Sequence, residues 1–187
     1  FQRQLHRWQR QWELSRTREN PFIDELLARL PGLVPDDEDT VLTHGDFKLN
    51  NLLFHPTEPR VVAVLDWELS TLGHPLADVA FNTVPYRTLP QEYGGLRGLD
   101  LAALGIPTEA EYLAHYYRRA GRTDPARQAQ PFHWAFALMR FAVIFEGIAA
   151  RAQRGNAVAD NAAEIGALGL ALARRGVEAL TAPVPTV

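Results

Sequence analysis

The sequence has 187 residues, a net charge of −3 and no cysteine, with 47% hydrophobic and 22% charged residues. This composition is typical of one ordinary globular domain, and the missing cysteines exclude disulfide scaffolds, cysteine-ligated metal sites and cysteine nucleophiles. The slight acidic excess argues against a general nucleic-acid binder.

The sequence contains neither a predicted membrane-spanning segment nor a predicted signal peptide. No apolar run approaches the ~20 residues that span a bilayer, and no signal peptide opens the chain. We therefore expect a cytoplasmic protein with no membrane partner. Because the sequence begins at Phe1 rather than at a methionine, we also expect a trimmed start or a piece of a longer protein.

Residues 1–40 are predicted to form two leading helices and a loop. Apolar residues recur at helical spacing over residues 1–18. The arginines on the other faces predict a solvated surface, with contact to an anionic partner as the alternative. These arginines are Arg3, Arg7 and Arg10. Asn20 followed by Pro21 predicts the start of the second helix, and the four acids of residues 36–39 predict a solvated loop.

Residues 41–82 are predicted to hold a small sheet and one short helix. Val41-Leu42 leads from this strand-rich stretch into the histidine-glycine-aspartate sequence that follows. Leu52–Phe54 and Val61–Leu65 have the apolar character of short strands, and the turn residues between them predict a hairpin. Pro75 predicts the start of a helix that extends to about Asn82.

The remainder of the chain is predicted to be irregular over residues 83–107 and helical beyond. Thr108 and Glu111 have the form of a capping box at a helix start. The later helices are predicted to begin at Asp124-Pro125, to cover residues 132–153 and to cover residues 157–180. Helices, a small sheet and further helices give the fold class α+β, mostly α, in a single domain over residues 1–187.

Two carboxylates and an amide are spaced around the predicted hairpin as phosphoryl transfer requires. These groups belong to Asp46, Asn51 and Asp66. The reaction needs a carboxylate that deprotonates an attacking hydroxyl, and hard oxygen ligands for Mg²⁺ on the nucleotide phosphates. One loop can supply Asp46 and Asn51, and the hairpin returns Asp66 to the same place. The same groups could activate water, so a metal-dependent phosphohydrolase is an alternative.

The spacing resembles the catalytic loop of protein kinases, in which aspartate is followed five residues later by asparagine and then by a second aspartate. His44-Gly45-Asp46 resembles the aminoglycoside phosphotransferase and choline-kinase-like group. The run Leu65–Ala80 narrows the resemblance to the phosphotransferase domains related to acyl-CoA dehydrogenase family members 10 and 11. The resemblance implies the C-terminal lobe of a protein-kinase-like fold.

The resemblance divides the chain into three parts and implies roles for its residues. Residues 1–40 match the leading helices, residues 41–82 the catalytic loop and metal-binding hairpin, and residues 83–187 a helical acceptor-site subdomain. Asp46 matches the catalytic base. Asn51 and Asp66 match the residues that bind Mg²⁺ and ATP.

The resemblance implies further roles around the loop. Lys48 lies where protein kinases often have a lysine that contacts the transferred phosphate, with a surface lysine as the alternative. Asp78 matches an aspartate that braces the loop, and His44 matches a histidine whose ring bonds loop backbone. The family usually has aspartate where this chain has His74, which we expect to be a neutral change. Trp67 is expected in the core, as is Trp134.

The N-terminal lobe of such a kinase is expected to be absent. Lys48 is the sole lysine and no Gly-x-Gly-x-x-Gly occurs, so the phosphate-binding lysine and the glycine-rich loop are both missing from this sequence. We expect the chain alone to be inactive. We also expect an apolar surface near the hairpin that favours self-association.

The sequence therefore predicts an ATP-dependent phosphotransferase that acts on a small-molecule hydroxyl, and a non-catalytic kinase-fold binding module is the alternative of another class. Residues 85–155 carry nine arginines and six acidic residues. Because arginine suits phosphate and carboxylate groups, we expect a hydroxyacyl-CoA-like anionic acceptor, with an aminoglycoside as the alternative. The arginines are Arg87, Arg97, Arg118, Arg119, Arg122, Arg127, Arg140, Arg151 and Arg154.

Overall fold

The structure, a computed structural model, describes residues 1–36, 39–154 and 162–186. Within these ranges the chain forms six α-helices and four short strands. The helices are α1 Gln2–Ser15, α2 Pro21–Arg29, α3 Pro75–Asn82, α4 Glu109–Arg119, α5 Pro131–Gln153 and α6 Ala162–Ala179. The strands are β1 Val41–Thr43, β2 Leu52–Phe54, β3 Val61–Val64 and β4 Thr71–Gly73. The predicted α+β, mostly helical class is confirmed.

Helix α5 is the centre of the core. Sixteen of its 23 residues are buried, as expected for a helix that is apolar around its whole circumference. It packs chiefly against α6, and also against α1, α2 and α3. The approach to α6 is close because Gly166 has no side chain, and a Cβ there would lie 2.5 Å from the Cβ of Ala149.

The strands form two separate antiparallel pairs rather than one small sheet. Strands β2 and β3 form the predicted hairpin, with Leu52 opposite Val64. Strand β1 pairs with β4, with Val41 opposite Gly73. Strand β4 is not predicted from the sequence, because three residues are too few to show a period and the strand that pairs with it lies about 30 residues earlier in the chain.

Several helix ends have the predicted caps. The Asn20 side chain accepts a hydrogen bond from the Ile23 N–H, and Thr108 with Glu111 forms the capping box. The predicted helical start at Asp124-Pro125 is present, and the Asp124 side chain accepts a hydrogen bond from the Ala126 N–H, but it is a single 3₁₀ turn and the chain becomes extended before Pro131. The predicted helix start at residue 157 lies outside the described residues. No helix in the described ranges is both long and apolar enough to cross a bilayer.

Candidate active site

Asp78 binds the backbone of the predicted catalytic loop through its carboxylate. It lies in the first turn of α3, and its two carboxylate oxygens accept hydrogen bonds from the N–H groups of His44 at 2.6 Å and Gly45 at 2.9 Å. These are contacts that a bracing role requires. Helix α3 begins at the residue that departs from the family pattern, His74, whose Nδ1 accepts a hydrogen bond from the Leu76 N–H. The histidine thus caps the helix as an aspartate would.

The buried ring of His44 joins the loop to the end of the hairpin. Its Nδ1 accepts a hydrogen bond from the Asp46 N–H at 3.2 Å. The ring proton is therefore on Nε2, which donates to the Leu65 carbonyl at 2.8 Å. With both nitrogens bound to backbone, His44 fixes the positions of Asp46 and of the residue after Leu65, which is Asp66. The ring is thereby occupied by structural contacts.

Gly45 is needed for both its backbone conformation and its lack of a side chain. Its φ is +82°, and a Cβ there would lie 2.5 Å from the carbonyl oxygen of Leu69. The Gly45 carbonyl accepts a hydrogen bond from Arg140 of α5 at 2.9 Å. The loop is therefore fixed by α3 on one side and by α5 on the other.

Asp46 has one carboxylate oxygen occupied and one available. Its Oδ2 forms an ion pair with the Lys48 ammonium at 2.8 Å and accepts a hydrogen bond from the Asn51 side-chain N–H at 3.0 Å. Its Oδ1 has no hydrogen bond to any described residue. An oxygen of a carboxylate that is held in place by its other oxygen is suited to accept a proton. In this structure Lys48 contacts the predicted base directly.

Asn51 and Asp66 come together because the hairpin ladder continues past β2 and β3. The Leu65 N–H donates to the Asn51 carbonyl at 2.8 Å, and Asp66 follows directly in the left-handed conformation, with φ of 65°. A non-glycine residue in that conformation is uncommon and is found at functional sites. The Asn51 amide donates to Asp46, so its side-chain oxygen faces no donor in the described chain, and neither does the Asp66 carboxylate.

These two side chains fit a hard divalent cation such as Mg²⁺. Both offer hard oxygen atoms, which Mg²⁺ prefers, and Mg²⁺ is usually bound by one or two protein groups together with substrate phosphates. No group of three or more histidine, aspartate or glutamate side chains in the described ranges is placed to hold a metal. A cation at Asn51 and Asp66 would therefore depend on nucleotide oxygens for the rest of its ligands.

A cavity of about 280 Å³ opens beside Asp46. Its lining comes from the catalytic loop, α3 and β4, and also from α1 and α5, which contribute Arg3, Arg7, Trp8 and Arg140. Arg3 and Arg7 are exposed, as predicted, but their position beside the cavity is not predicted from the sequence. Helical periodicity shows that they share one side of α1, but it gives no sign that this side borders the catalytic loop.

Most of the other described arginines of residues 85–155 have structural contacts. The Arg87 guanidinium pairs with Glu109 and stacks on Trp134, and Arg97 pairs with Glu178. Arg122 and Arg127 both pair with Asp39, so this member of the predicted solvated acidic loop is bound instead. Residues 37 and 38 of that loop lie outside the described residues.

The two tryptophans predicted for the core have different environments. Trp134 is buried and donates to Thr83. The core prediction for Trp67 is wrong, because 46% of this residue is exposed beside the hairpin. Its ring donates to the Val64 carbonyl and contacts the His44 ring in a tilted arrangement.

The sequence of this chain is similar to that of proteins of one known family. The profile of the Phosphotransferase enzyme family matches residues 1–129. Acyl-CoA dehydrogenase family member 10 of Mus musculus is 41% identical over 169 residues, which are 89% of this chain and 16% of that protein. Member 11 of Rattus norvegicus is 41% identical over 158 residues, which are 82% of this chain and 20% of that protein. The chain thus spans about a fifth of the length of these relatives.

A crystal structure supports the same placement. A protein of Ralstonia eutropha assigned as an aminoglycoside phosphotransferase superposes with a TM-score of 0.89 at 43% identity, over 96% of this chain and 55% of that one. This likeness confirms the predicted kinase-like C-terminal-lobe fold. The family match, the sequence identities and the shared fold agree with the resemblance of the catalytic loop, and the chain belongs to the phosphotransferase enzyme family.

Proposed function

We propose that this chain carries the catalytic loop of an ATP-dependent phosphotransferase that moves the γ-phosphate of ATP to a hydroxyl of a small molecule. The observation that carries the proposal is the arrangement at Asp46, whose Oδ2 is held by Lys48 and Asn51 while Oδ1 has no partner in the described chain. Asp46 also lines the cavity between the loop and the helices. A hydroxyl in that cavity would meet a fixed, available carboxylate oxygen.

The proposed reaction gives each of these side chains a role. The acceptor oxygen attacks the γ-phosphorus while the bond from phosphorus to the bridging oxygen breaks, which releases ADP. The hydroxyl proton passes to Asp46 Oδ1. The Lys48 ammonium lies within reach of the developing negative charge and stabilises it. The side-chain oxygens of Asn51 and Asp66 are the atoms that would hold Mg²⁺, which when bound would neutralise charge on the nucleotide phosphates.

The acceptor that we propose is a hydroxyacyl-CoA-like anionic metabolite. Two observations support it: the similarity to proteins named acyl-CoA dehydrogenase family members, and the arginines that line the cavity beside Asp46. An aminoglycoside is the alternative because of the name of the similar solved structure. Aminoglycosides are polycations, so guanidinium groups in the cavity repel them.

The test is made with the full-length natural protein that carries this sequence. ATP, Mg²⁺ and either 3-hydroxyacyl-CoA or kanamycin are mixed with it, and acceptor-dependent ADP release is measured. We expect turnover with the hydroxyacyl-CoA and none with the drug. Turnover with the drug alone would replace the proposed acceptor. No turnover with either, but tight ATP binding, would favour the non-catalytic binding module.

A further inference from the structure

The Arg140 guanidinium is buried and forms no ion pair with a carboxylate of the described chain. Only 6% of the residue is exposed. Its one hydrogen bond in the described chain is from Nη2 to the Gly45 carbonyl, and its buried Nε has none. Burial lowers the pKa of Arg140 to about 10, although the charges of Asp78 and Asp46 act in the opposite direction. Buried charged groups in proteins are normally paired, so this one is an exception that needs a reason.

The guanidinium is held rigidly at the cavity wall. The Trp8 ring of α1 lies 5.4 Å from its Cζ, and the Phe81 ring of α3 lies 5.0 Å from it. Aromatic faces at these distances attract a cation and restrict its orientation. A guanidinium that is held in this way is prepared to bind a planar or tetrahedral anion through two N–H groups.

Further positive charge faces the same cavity from α1. Arg3 and Arg7 line it, and in the described chain neither has an ion-pair partner. Arg7 is close enough for its charge to oppose that of Arg140. Two acids also line the cavity and their charges act favourably on Arg140, but neither forms an ion pair with it in the described chain, because Asp46 binds Lys48 and Asn51 and both oxygens of Asp78 bind loop backbone.

The basic lining continues away from the catalytic loop. A second cavity of about 250 Å³ lies between α1 and α5, shares Arg7 and Trp8 with the first, and adds Arg151. Among the residues that the structure describes, no acidic side chain lines it. An elongated molecule with its hydroxyl at Asp46 would therefore extend along a groove whose charges are guanidinium groups.

We propose that Arg140 and Arg7 form a subsite for an anionic group of the acceptor, a carboxylate or a phosphate, while the acceptor hydroxyl lies at Asp46. This inference rests on the proposed function and names the chemistry of its substrate. The anion supplies the countercharge that Arg140 lacks. A cationic acceptor is excluded from the groove by the same charges.

The test separates this subsite from catalysis by measuring binding directly. Sodium phosphate and sodium acetate are titrated calorimetrically into the full-length natural protein and its Arg7→Gln, Arg140→Gln and Arg10→Gln variants. Arg10 is the matched control, because it is on the same helix but lines neither cavity. Loss of one charge-assisted contact is expected to weaken anion binding about tenfold in the first two variants. The control is expected to bind like the natural protein.

The results of these titrations identify the anion that binds or show that the subsite does not exist. Binding of phosphate alone identifies a phosphorylated acceptor, and binding of acetate identifies a carboxylate. Equal binding by all variants, or no binding of either anion, overturns the subsite even if the protein is an active kinase. Anion binding that depends on Arg7 and Arg140 in a protein without kinase activity upholds the subsite and overturns the proposed function.

A kinetic measurement checks the same point on an active enzyme. With a hydroxy acid as acceptor, Arg7→Gln is expected to raise KM about tenfold and to leave kcat nearly unchanged, because Arg7 acts on binding and not on the reacting atoms. With the methyl ester of that acid, the variant and the natural protein are expected to have the same KM. A fall in kcat with both acceptors would show that the substitution disturbs the loop instead.

Discussion

Some polar side chains at the catalytic loop have all their oxygen or nitrogen atoms hydrogen-bonded within the protein. Others keep an oxygen atom without a partner in the described chain. Both oxygens of Asp78 and both ring nitrogens of His44 bind backbone, so these residues fix geometry. Asp46, Asn51 and Asp66 each keep at least one oxygen without a donor in the described chain. The unused oxygens are those that the proposed reaction needs for a proton and a metal ion.

The Asp46→Asn substitution tests the proposed base. The amide keeps the size of the side chain but cannot take the hydroxyl proton, so we expect kcat of the full-length protein to fall by roughly 10²–10⁴-fold, the usual contribution of a general base. Nucleotide affinity, measured by titration, should change little. Glu58→Gln is the control, since Glu58 is exposed in the hairpin turn and pairs only locally. Near-normal turnover by the D46N enzyme would remove Asp46 from the mechanism.

The Lys48→Met substitution tests whether this ammonium acts on the transferred phosphate. Removal of a charge that stabilises the transition state is expected to lower kcat by roughly 10²-fold, with a smaller effect on acceptor KM. Steady-state kinetics at saturating ATP measure both constants. An unchanged kcat would mean that the contact of Lys48 with Asp46 is an ordinary surface ion pair.

The sequence was sufficient to predict the residues of the catalytic loop. It was not sufficient to predict the side chains that face the loop across the cavity. Asp46, Asn51 and Asp66 lie within 21 residues of one another, so their spacing around a hairpin carries the signal. Arg7 reaches the same cavity only because α1 packs on α5, and that packing has no local signature. The exposure of Trp67 was missed for a similar reason, since its surroundings depend on where the hairpin lies.

At the scale of elements, a buried glutamate connects the leading helices to the helical core. Glu146 of α5 is fully buried and accepts hydrogen bonds from Arg18 and from Asn20, which caps α2. Arg18 also donates to the carbonyl of Gly166 in α6. The segment between α1 and α2 is thus fixed to both α5 and α6, which holds α1 against the cavity.

The Glu146→Ala substitution should therefore destabilise the fold. It leaves the buried Asn20 amide and the Arg18 guanidinium without their carboxylate, and we expect the free energy of unfolding to fall by about 3 kcal/mol. Urea denaturation followed by circular dichroism measures this change. Glu13→Ala on the exposed face of α1 should change it by less than about 0.5 kcal/mol. Equal effects of the two substitutions would show that the buried connection contributes little.

The elements that are best predicted from the sequence are those that begin at a capping residue or a proline, or that contain a long apolar pattern. The start of α3 at Pro75 and the apolar course of α5 are both in place. Strand β4 has neither kind of signal, and its existence depends on pairing with β1 across the catalytic loop and hairpin. Short elements that form only by such pairing are the part of the fold that local patterns leave out.

At the scale of the whole molecule, a second buried ion pair fixes the long irregular segment to the last helix. Arg175 of α6 donates to both carboxylate oxygens of Glu92. Burial alone raises the pKa of Glu92, but the bonds from Arg175 and from the Leu89 N–H outweigh it, and the pKa lies below its usual value of 4.5. Because the folded-state pKa is lowered, the stabilisation is present above about pH 4.5 and is lost as the pH falls through the folded-state value.

The Glu92→Gln substitution isolates this contribution. We expect the natural protein to be more stable than the variant near neutral pH, and the difference to shrink as the pH is lowered, since protonated Glu92 resembles glutamine. Denaturation curves of both proteins over a series of pH values measure the difference. A difference that stays constant with pH would mean that the charge of Glu92 does not matter to stability.

The 187-residue chain by itself has an exposed apolar face at the hairpin. The hairpin exposes large apolar side chains, and phosphoryl transfer depends on positioning both ends of the nucleotide. These side chains are Leu49, Leu53, Phe54, Val61, Val62, Leu65 and Trp67. The sole lysine is used at the catalytic loop, so this chain has no second lysine for the phosphates.

We therefore expect the isolated chain to show no ATP-dependent kinase activity and to associate with itself through the exposed hairpin face, as large apolar patches favour. Activity assays and sedimentation at several concentrations measure the two properties. Replacement of Leu53 and Val62 by threonine should reduce association without restoring activity. Turnover by the purified chain would show that the catalytic loop positions ATP without a second lobe. A monomer at all concentrations would show that the hairpin face does not drive assembly.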